Sequence, residues 1–180
     1  MRIRPIDGDA EVELVASRMR ETLVEVLGDE RGSSLYTMDW LRARVRWHLD
    51  PNACTGAVLV AESPCGTHVL GHTIVRVEQD ESGASFGLFS TTFVAPASRR
   101  RSIASKLLAS GESWMCERAL AKAATYTAST NQKLIALYEK HGYRIDERRG
   151  GMVRLSKPLV TTEFDARRYR ERQTLYKGRT

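Results

Sequence analysis

The chain has 180 residues, 42% hydrophobic and 28% charged, with 13 Gly and 5 Pro. This suits one globular domain, at most with an extension, and excludes collagenous and low-complexity chains. Twenty-eight Lys and Arg against 22 Asp and Glu leave +6, which favours an anionic ligand without by itself indicating a nucleic-acid binder.

The first residues, MRIRPIDGDAEVELV, contain no apolar signal region. Arg2 to Ile6 alternates and is interrupted at Pro5, which predicts a short strand. Asp7-Gly8-Asp9 offers a helix start; Val12, Leu14, Val15, Met19, Leu23 and Leu27 recur near helical spacing, and Gly28 can end the helix. Gly28 to Thr37 reads as a polar loop. A second helix opens at Thr37 or Met38, carries Leu41, Val45 and His48 on one face, and stops before Pro51.

Beyond Pro51 the pattern becomes that of strands. Gly56 to Ala61 is the longest apolar run, far short of the roughly 20 residues of a membrane span, and predicts a buried strand over 57–61. Turns at Ser63–Gly66 and Gln79–Gly83 separate it from strands at 69–77 and 86–94, an antiparallel meander. A helix follows from about Ser102 to Ala123, with an internal Gly111. Next come a strand at 124–128, a helix from Asn131 to His141 capped by Gly142, and two strands at 144–147 and 152–155. The order β-α-α-β-β-β-α-β-α-β-β is an α+β pattern around a mixed sheet.

The segment VAPASRRRSIASKLL, Val94 to Leu108, carries the chemistry. A strand ends, Pro96 breaks it, and a helix begins within a few residues. A helix N-terminus with free amides is an anion site, and Arg99, Arg100 and Arg101 strengthen its potential. Small residues at Ser102 and Ala104 let a ligand approach the backbone. The pattern suits a pyrophosphate; a solvated basic helix start is the plainer alternative.

This segment resembles motif A of the GNAT acetyltransferase superfamily, V-x-P-x-x-R-x-x-G-x-G/A, with Val94, Pro96, Arg99 and Ala104 at matching positions. The segment NQKLIALYEKHGY, 131–143, resembles the family's N-x-x-A-x-x-L-Y-x-x-x-G-F/Y pattern through Asn131, Leu137, Tyr138, Gly142 and Tyr143. One helix and one short strand separate the two motifs, as in the family. The resemblance implies a mixed, mostly antiparallel central sheet flanked by helices, acetyl-CoA as acetyl donor with CoA as product, and transfer to a primary amine by direct attack in a ternary complex. It implies that amides from Arg99 to Ala104, Ile103 included, hold the pyrophosphate, with Arg99 and Arg101 adding charge. It also implies that the Phe93 and Val94 amides face the acetyl group and stabilise the oxyanion, that Asn131 contacts the cofactor arm, and that Tyr138 acts as general acid near the sulfur. Two departures stand out. Ser102 replaces the family's first glycine, and the stretch Ser90-Thr91-Thr92-Phe93 carries no carboxylate base. Glu78, Asp80, Glu81, a histidine or water remain open for that role. The departures leave a non-catalytic acyl-CoA sensor of the same fold as an alternative.

Weaker signals point elsewhere. Cys54, Cys65 and Cys116 are odd in number and loosely spaced, as expected of reduced thiols in a cytoplasm. Cys65, His68 and His72 lack a convincing fourth metal ligand, so no metal is expected. Tyr36 and Trp40 can line an acceptor pocket or simply pack, and the same choice stands for His72. The acetyltransferase-like domain is taken as 1–158 and a basic extension as 159–180. That extension has six basic and three acidic residues, net +3. Its Phe164, Tyr169, Leu175 and Tyr176 can dock on the body or on a second subunit, giving a homodimer, and its interleaving of basic and aromatic residues also suits RNA. The charge excess disfavours polycationic acceptors. It leaves amino acids, small amines, protein amines and aminoacyl-tRNA.

Overall fold

The computed structural model describes residues 1–159. The elements are β1 (Arg2–Pro5), α1 (Gly8–Leu27), α2 (Asp29–Ser34), α3 (Met38–Leu49), β2 (Gly56–Glu62), β3 (Val69–Gln79), β4 (Ser85–Val94), a 3-10 turn (Pro96–Ser98), α4 (Ile103–Cys116), β5 (Lys122–Ala128), α5 (Gln132–Lys140), β6 (Arg144–Arg149) and β7 (Met152–Pro158). The strands form one sheet in the order β1-β2-β3-β4-β5-β7-β6. Every neighbouring pair is antiparallel except β4 and β5. Among the described residues, no helix is long and apolar enough to cross a membrane.

The alternation of β3 assigns the two faces. Ile74 packs with Val12, Val15, Leu41 and Val45 of α1 and α3. Val75 packs with Leu108 and Met115 of α4 and with Tyr138 of α5. The register follows from these two apolar sets: a one-residue slip would exchange them.

Two elements differ from the sequence reading. The expected loop at 28–37 contains the helix α2. Gly28 leaves α1 at φ 83° and the chain turns back so closely that a Cβ at Gly32 would stand 2.5 Å from the Val24 backbone. The helix expected to reach Ala123 stops at Cys116. Ala119 turns left-handed at φ 56°, and Leu120, whose amide bonds back to the Met115 carbonyl at 3.2 Å, enters the core. The internal Gly111 of α4 has a packing reason. A Cβ there would meet the Phe89 ring at 2.3 Å, so the glycine lets α4 sit directly on β4.

The core extends one residue past the expected boundary at 158. Leu159 is buried, and its amide donates to the Ala121 carbonyl at 2.8 Å. The remaining features expected of the extension lie outside the described residues.

Candidate active site

The feature that builds the site is a parting of strands. β4 and β5 pair only at Gly87↔Ala123, Leu88↔Ala124 and Phe89↔Thr125. Beyond Phe89, β4 stays with β3 while β5 continues with β7 to Ala128. A bulge between Ile74 and Val75 in the β3–β4 register leaves Ser90 as the extra residue at the point of divergence. The result is a slit through the sheet that joins its two faces.

Backbone alternation decides which amides face the slit. Ala95 donates its N–H to the Leu70 carbonyl on β3 at 2.9 Å. In an antiparallel ladder the amide two residues earlier points the same way. The Phe93 N–H is therefore turned to β3, and those of Thr92 and Val94 to the open side. This corrects half of the expected Phe93 and Val94 pair. The Phe93 side chain is enclosed between His72, stacked at 5.8 Å, and the Arg18 guanidinium at 5.4 Å.

At the head of the slit the loop before α4 bends sharply. Arg100 and Ser102 both take positive φ, 61° and 58°. Ser102 is left-handed, the conformation the family's glycine suits, so serine is strained here by about 1 kcal/mol. Its side chain caps nothing, and no acidic residue stands in the first turn of α4. The amides of Ile103 and Ala104 at the positive end of α4 thus have no side-chain cap. Ile103 is buried, Ala104 half-buried, and Arg100 and Arg101 exposed. Arg99 is held differently from its expected role. Its Nε donates to the Val94 carbonyl at 3.0 Å, and its two Nη atoms pair with Glu25 at 3.0 and 2.8 Å.

On the α4–α5 side the slit is lined by hydroxyls. The Tyr138 hydroxyl lies 3.5 Å from Thr92 Oγ1, which is 2.9 Å from Thr73 Oγ1, and Thr125 Oγ1 donates to the Phe89 carbonyl at 3.1 Å. Tyr138 is only 1% exposed. Burial pushes its pKa well above the ordinary phenol value. Asn131 caps α5 by accepting from the Leu134 amide at 3.3 Å and donates to Thr127 Oγ1 at 3.0 Å. The sequence carries no signal for these threonines, because Thr is common in strands.

On the α1–α3 side the slit opens into a cavity of about 350 Å³. Phe89, Ser90 and Thr91 of β4 and Tyr126 of β5 border the opening. Tyr36 and Trp40, stacked with centroids 4.0 Å apart, form one wall; Arg44, His48 and Arg76 form another. No acidic side chain lines it among the described residues. Of the carboxylates considered as base, Glu78 is paired with Arg76 at 2.6 Å, and Asp80 is spent on the Ser82 and Ala84 amides of its own turn. His72 does not reach the cavity: it is fully buried, and burial lowers its pKa to about 3. The sequence marks His48 only as part of the apolar face of its helix and gives no site signal for Arg44; for Arg76 the one signal is a charged residue inside the apolar run TIVRV.

The chain matches the sequence model of the acetyltransferase (GNAT) family over residues 18–143. Among curated proteins, none matches the sequence. Solved structures share the fold. The NatC complex bound to Gag peptide and CoA aligns with TM-score 0.69 at 17% identity, covering 88% of this chain and 98% of that one. A ribosomal-protein-alanine N-acetyltransferase from Brucella melitensis aligns at 0.68 and 19%, covering 88% and 100%. Spermidine N-acetyltransferase from Vibrio cholerae, in complex with CoA and spermine, aligns at 0.66 and 15%, covering 89% and 96%. With the family pattern matched across most of its length and the sheet parted where that pattern lies, the chain belongs to the GNAT acetyltransferase family.

Proposed function

We propose that the protein is an acetyl-CoA-dependent N-acetyltransferase that acts on a primary amine in a single ternary complex. The observation that carries this reading is the slit between β4 and β5, with free amides at its head and a cavity at its α1–α3 mouth. CoA-bound relatives of the same fold support acetyl-CoA as the donor.

The residues present fit that donor. The backbone from Arg100 to Ala104 would hold the pyrophosphate, with Arg101 supplying charge, and the arm would run along the open edge of β4 past Asn131. A neutral amine entering from the cavity attacks the acetyl carbonyl carbon. The carbonyl oxygen takes up the electron pair opposite the Thr92 and Val94 amides, whose donors are preorganised for it. The carbon–sulfur bond then breaks, the sulfur leaves as thiolate, and the new amide nitrogen gives up its proton. With no carboxylate lining the cavity, the amine arrives neutral or loses its proton to water. Tyr138 stands on the thiol side as proton donor.

Calorimetry with acetyl-CoA and CoA tests the reading, with Arg99→Glu as a control that disrupts the loop before α4. Micromolar binding to the native chain, weakened in the variant, is expected; no binding at millimolar ligand removes the reading. Binding without turnover across an amine screen would favour an acyl-CoA sensor, the reading supported by Ser102 and by the absence of a lining carboxylate.

A further inference from the structure

We propose that the acceptor bears a carboxylate as well as its amine, and that Arg44 with Arg76 receives it: a small, amino-acid-like molecule with an apolar or aromatic body. The inference rests on the transferase reading above and names the acceptor class for the same cavity.

The wall carries two guanidiniums that are not equivalent. Arg76 is already answered: Nε donates to Glu78 at 2.6 Å and Nη1 to Ser90 Oγ at 3.0 Å. Arg44 is half-buried, its guanidinium lies 4.1 Å over the Trp47 ring, and that guanidinium has no hydrogen bond or ion pair among the described residues. Burial, and then the Arg76 charge beside it, lower its pKa, and Glu78 nearby offsets this only in part, so the protonated guanidinium is under-compensated where it stands. It remains charged, because a guanidinium does not give up its proton in proteins. An incoming anion relieves that cost, and the planar fork of donors matches a carboxylate. His48 adds no charge. Its Nδ1 is 2.7 Å from the Arg44 carbonyl, and burial lowers its pKa to about 4.

The rest of the cavity selects the body of the molecule. Tyr36 and Trp40 stack nearly parallel, at 14°, and are 36% and 43% exposed, a flat apolar surface open to a side chain. Leu41 and Ile74 floor it. A volume near 350 Å³ is at the small end of ligand pockets and suits a single small molecule. A polyamine would meet two guanidiniums and no carboxylate.

The test uses matched pairs that differ only by the carboxylate: phenylalanine and phenethylamine, tryptophan and tryptamine, leucine and isopentylamine. Each is titrated by calorimetry into the full chain saturated with CoA, and thiol release from acetyl-CoA is followed in parallel. The carboxylated member of at least one pair should bind at least about tenfold more tightly than its partner. Arg44→Gln should remove most of that gap, and Arg44→Lys, which keeps the charge but not the fork, should retain part of it. Equal or tighter binding of the decarboxylated amines, or no binding by any member while CoA binds, overturns the proposal. Failure of CoA itself to bind overturns the transferase reading instead.

Discussion

The Arg99 guanidinium closes on Glu25 at two points, Nη1 on Oε1 at 3.0 Å and Nη2 on Oε2 at 2.8 Å. Lys133 reaches the same Oε1 at 2.9 Å. One carboxylate near the end of α1 thereby ties the loop that follows β4 to the first turn of the helix that follows β5, the two sides of the slit. Arg99 and then Lys133 lower the Glu25 pKa to about 2, so it is ionised throughout the neutral range.

An arriving phosphate finds Arg99 already paired. Glu25→Gln releases both cations, so CoA should bind two- to fivefold more tightly at low salt, and the gain should fade as salt rises. The effect is modest because partly exposed pairs are worth no more than about 1 kcal/mol. Calorimetry at two ionic strengths checks this. Weaker binding by the variant would mean that Glu25 assembles the loop rather than competing for its cations.

Ser102 stands in the left-handed region without a side-chain bond to compensate. Ser102→Gly should therefore raise stability by about 1 kcal/mol, a shift of a few degrees in Tm, with CoA binding retained. Ser102→Val, β-branched at positive φ, should lower both. An unchanged Tm in the glycine variant would show that the loop relaxes out of that conformation in solution.

Much of this was legible in the sequence, for reasons that differ by element. Glycines and prolines mark the strand ends, apolar periodicity marks α1 and α3, and the Gly142 cap marks the end of α5. The paired motifs located the loop before α4 and Tyr138. What escaped was tertiary. α2 is six residues with no apolar stripe, and it forms because Gly32 can approach α1. Ala119, in the turn after α4, takes a left-handed conformation that alanine rarely signals. Arg44 and Arg76 lie 32 positions apart, on a helix and a strand that only the packing of α3 against the sheet brings to one cavity. The Glu25–Arg99 pair, across 74 positions, is invisible for the same reason.

Two histidines are buried as neutral rings. Burial lowers the His48 pKa to about 4 and that of His72 to about 3. In the unfolded chain both take up a proton as pH falls through about 6.5, and in the folded chain they do not. Stability from these groups is thus complete above about pH 6.5 and declines below it, until the folded rings themselves protonate. Two protons correspond to a slope of at most roughly 2–3 kcal/mol per pH unit. Urea midpoints between pH 7 and 5 should fall accordingly, and His48→Asn should flatten the decline. A stability that stays level over that interval would show that both rings find water or partners on protonation.

Tyr138 combines a buried ring with a hydroxyl at the slit. The ring meets Phe89 and Tyr143 edge-on, at 5.8 and 4.9 Å, so most of what it contributes to folding is apolar and survives in Tyr138→Phe. The hydroxyl contributes a proton donor 3.5 Å from Thr92 Oγ1, at the point where the Thr92 amide faces the slit. Its raised pKa makes complete proton transfer to a thiolate uphill, since a free thiol titrates near ~8.5. In the proposed reaction the thiolate is therefore already a tolerable leaving group, and the hydroxyl would act by donating a hydrogen bond as the carbon–sulfur bond breaks. General acids contribute about 100-fold or more where the leaving group needs the proton; here a loss nearer tenfold in kcat is expected. The fall should appear with saturating amine, leave the calorimetric affinity for acetyl-CoA intact, and leave Tm within a few degrees. Unchanged kcat in the folded variant would remove Tyr138 from the chemistry and leave it as core, whereas a loss of several thousandfold would show that the proton is fully transferred.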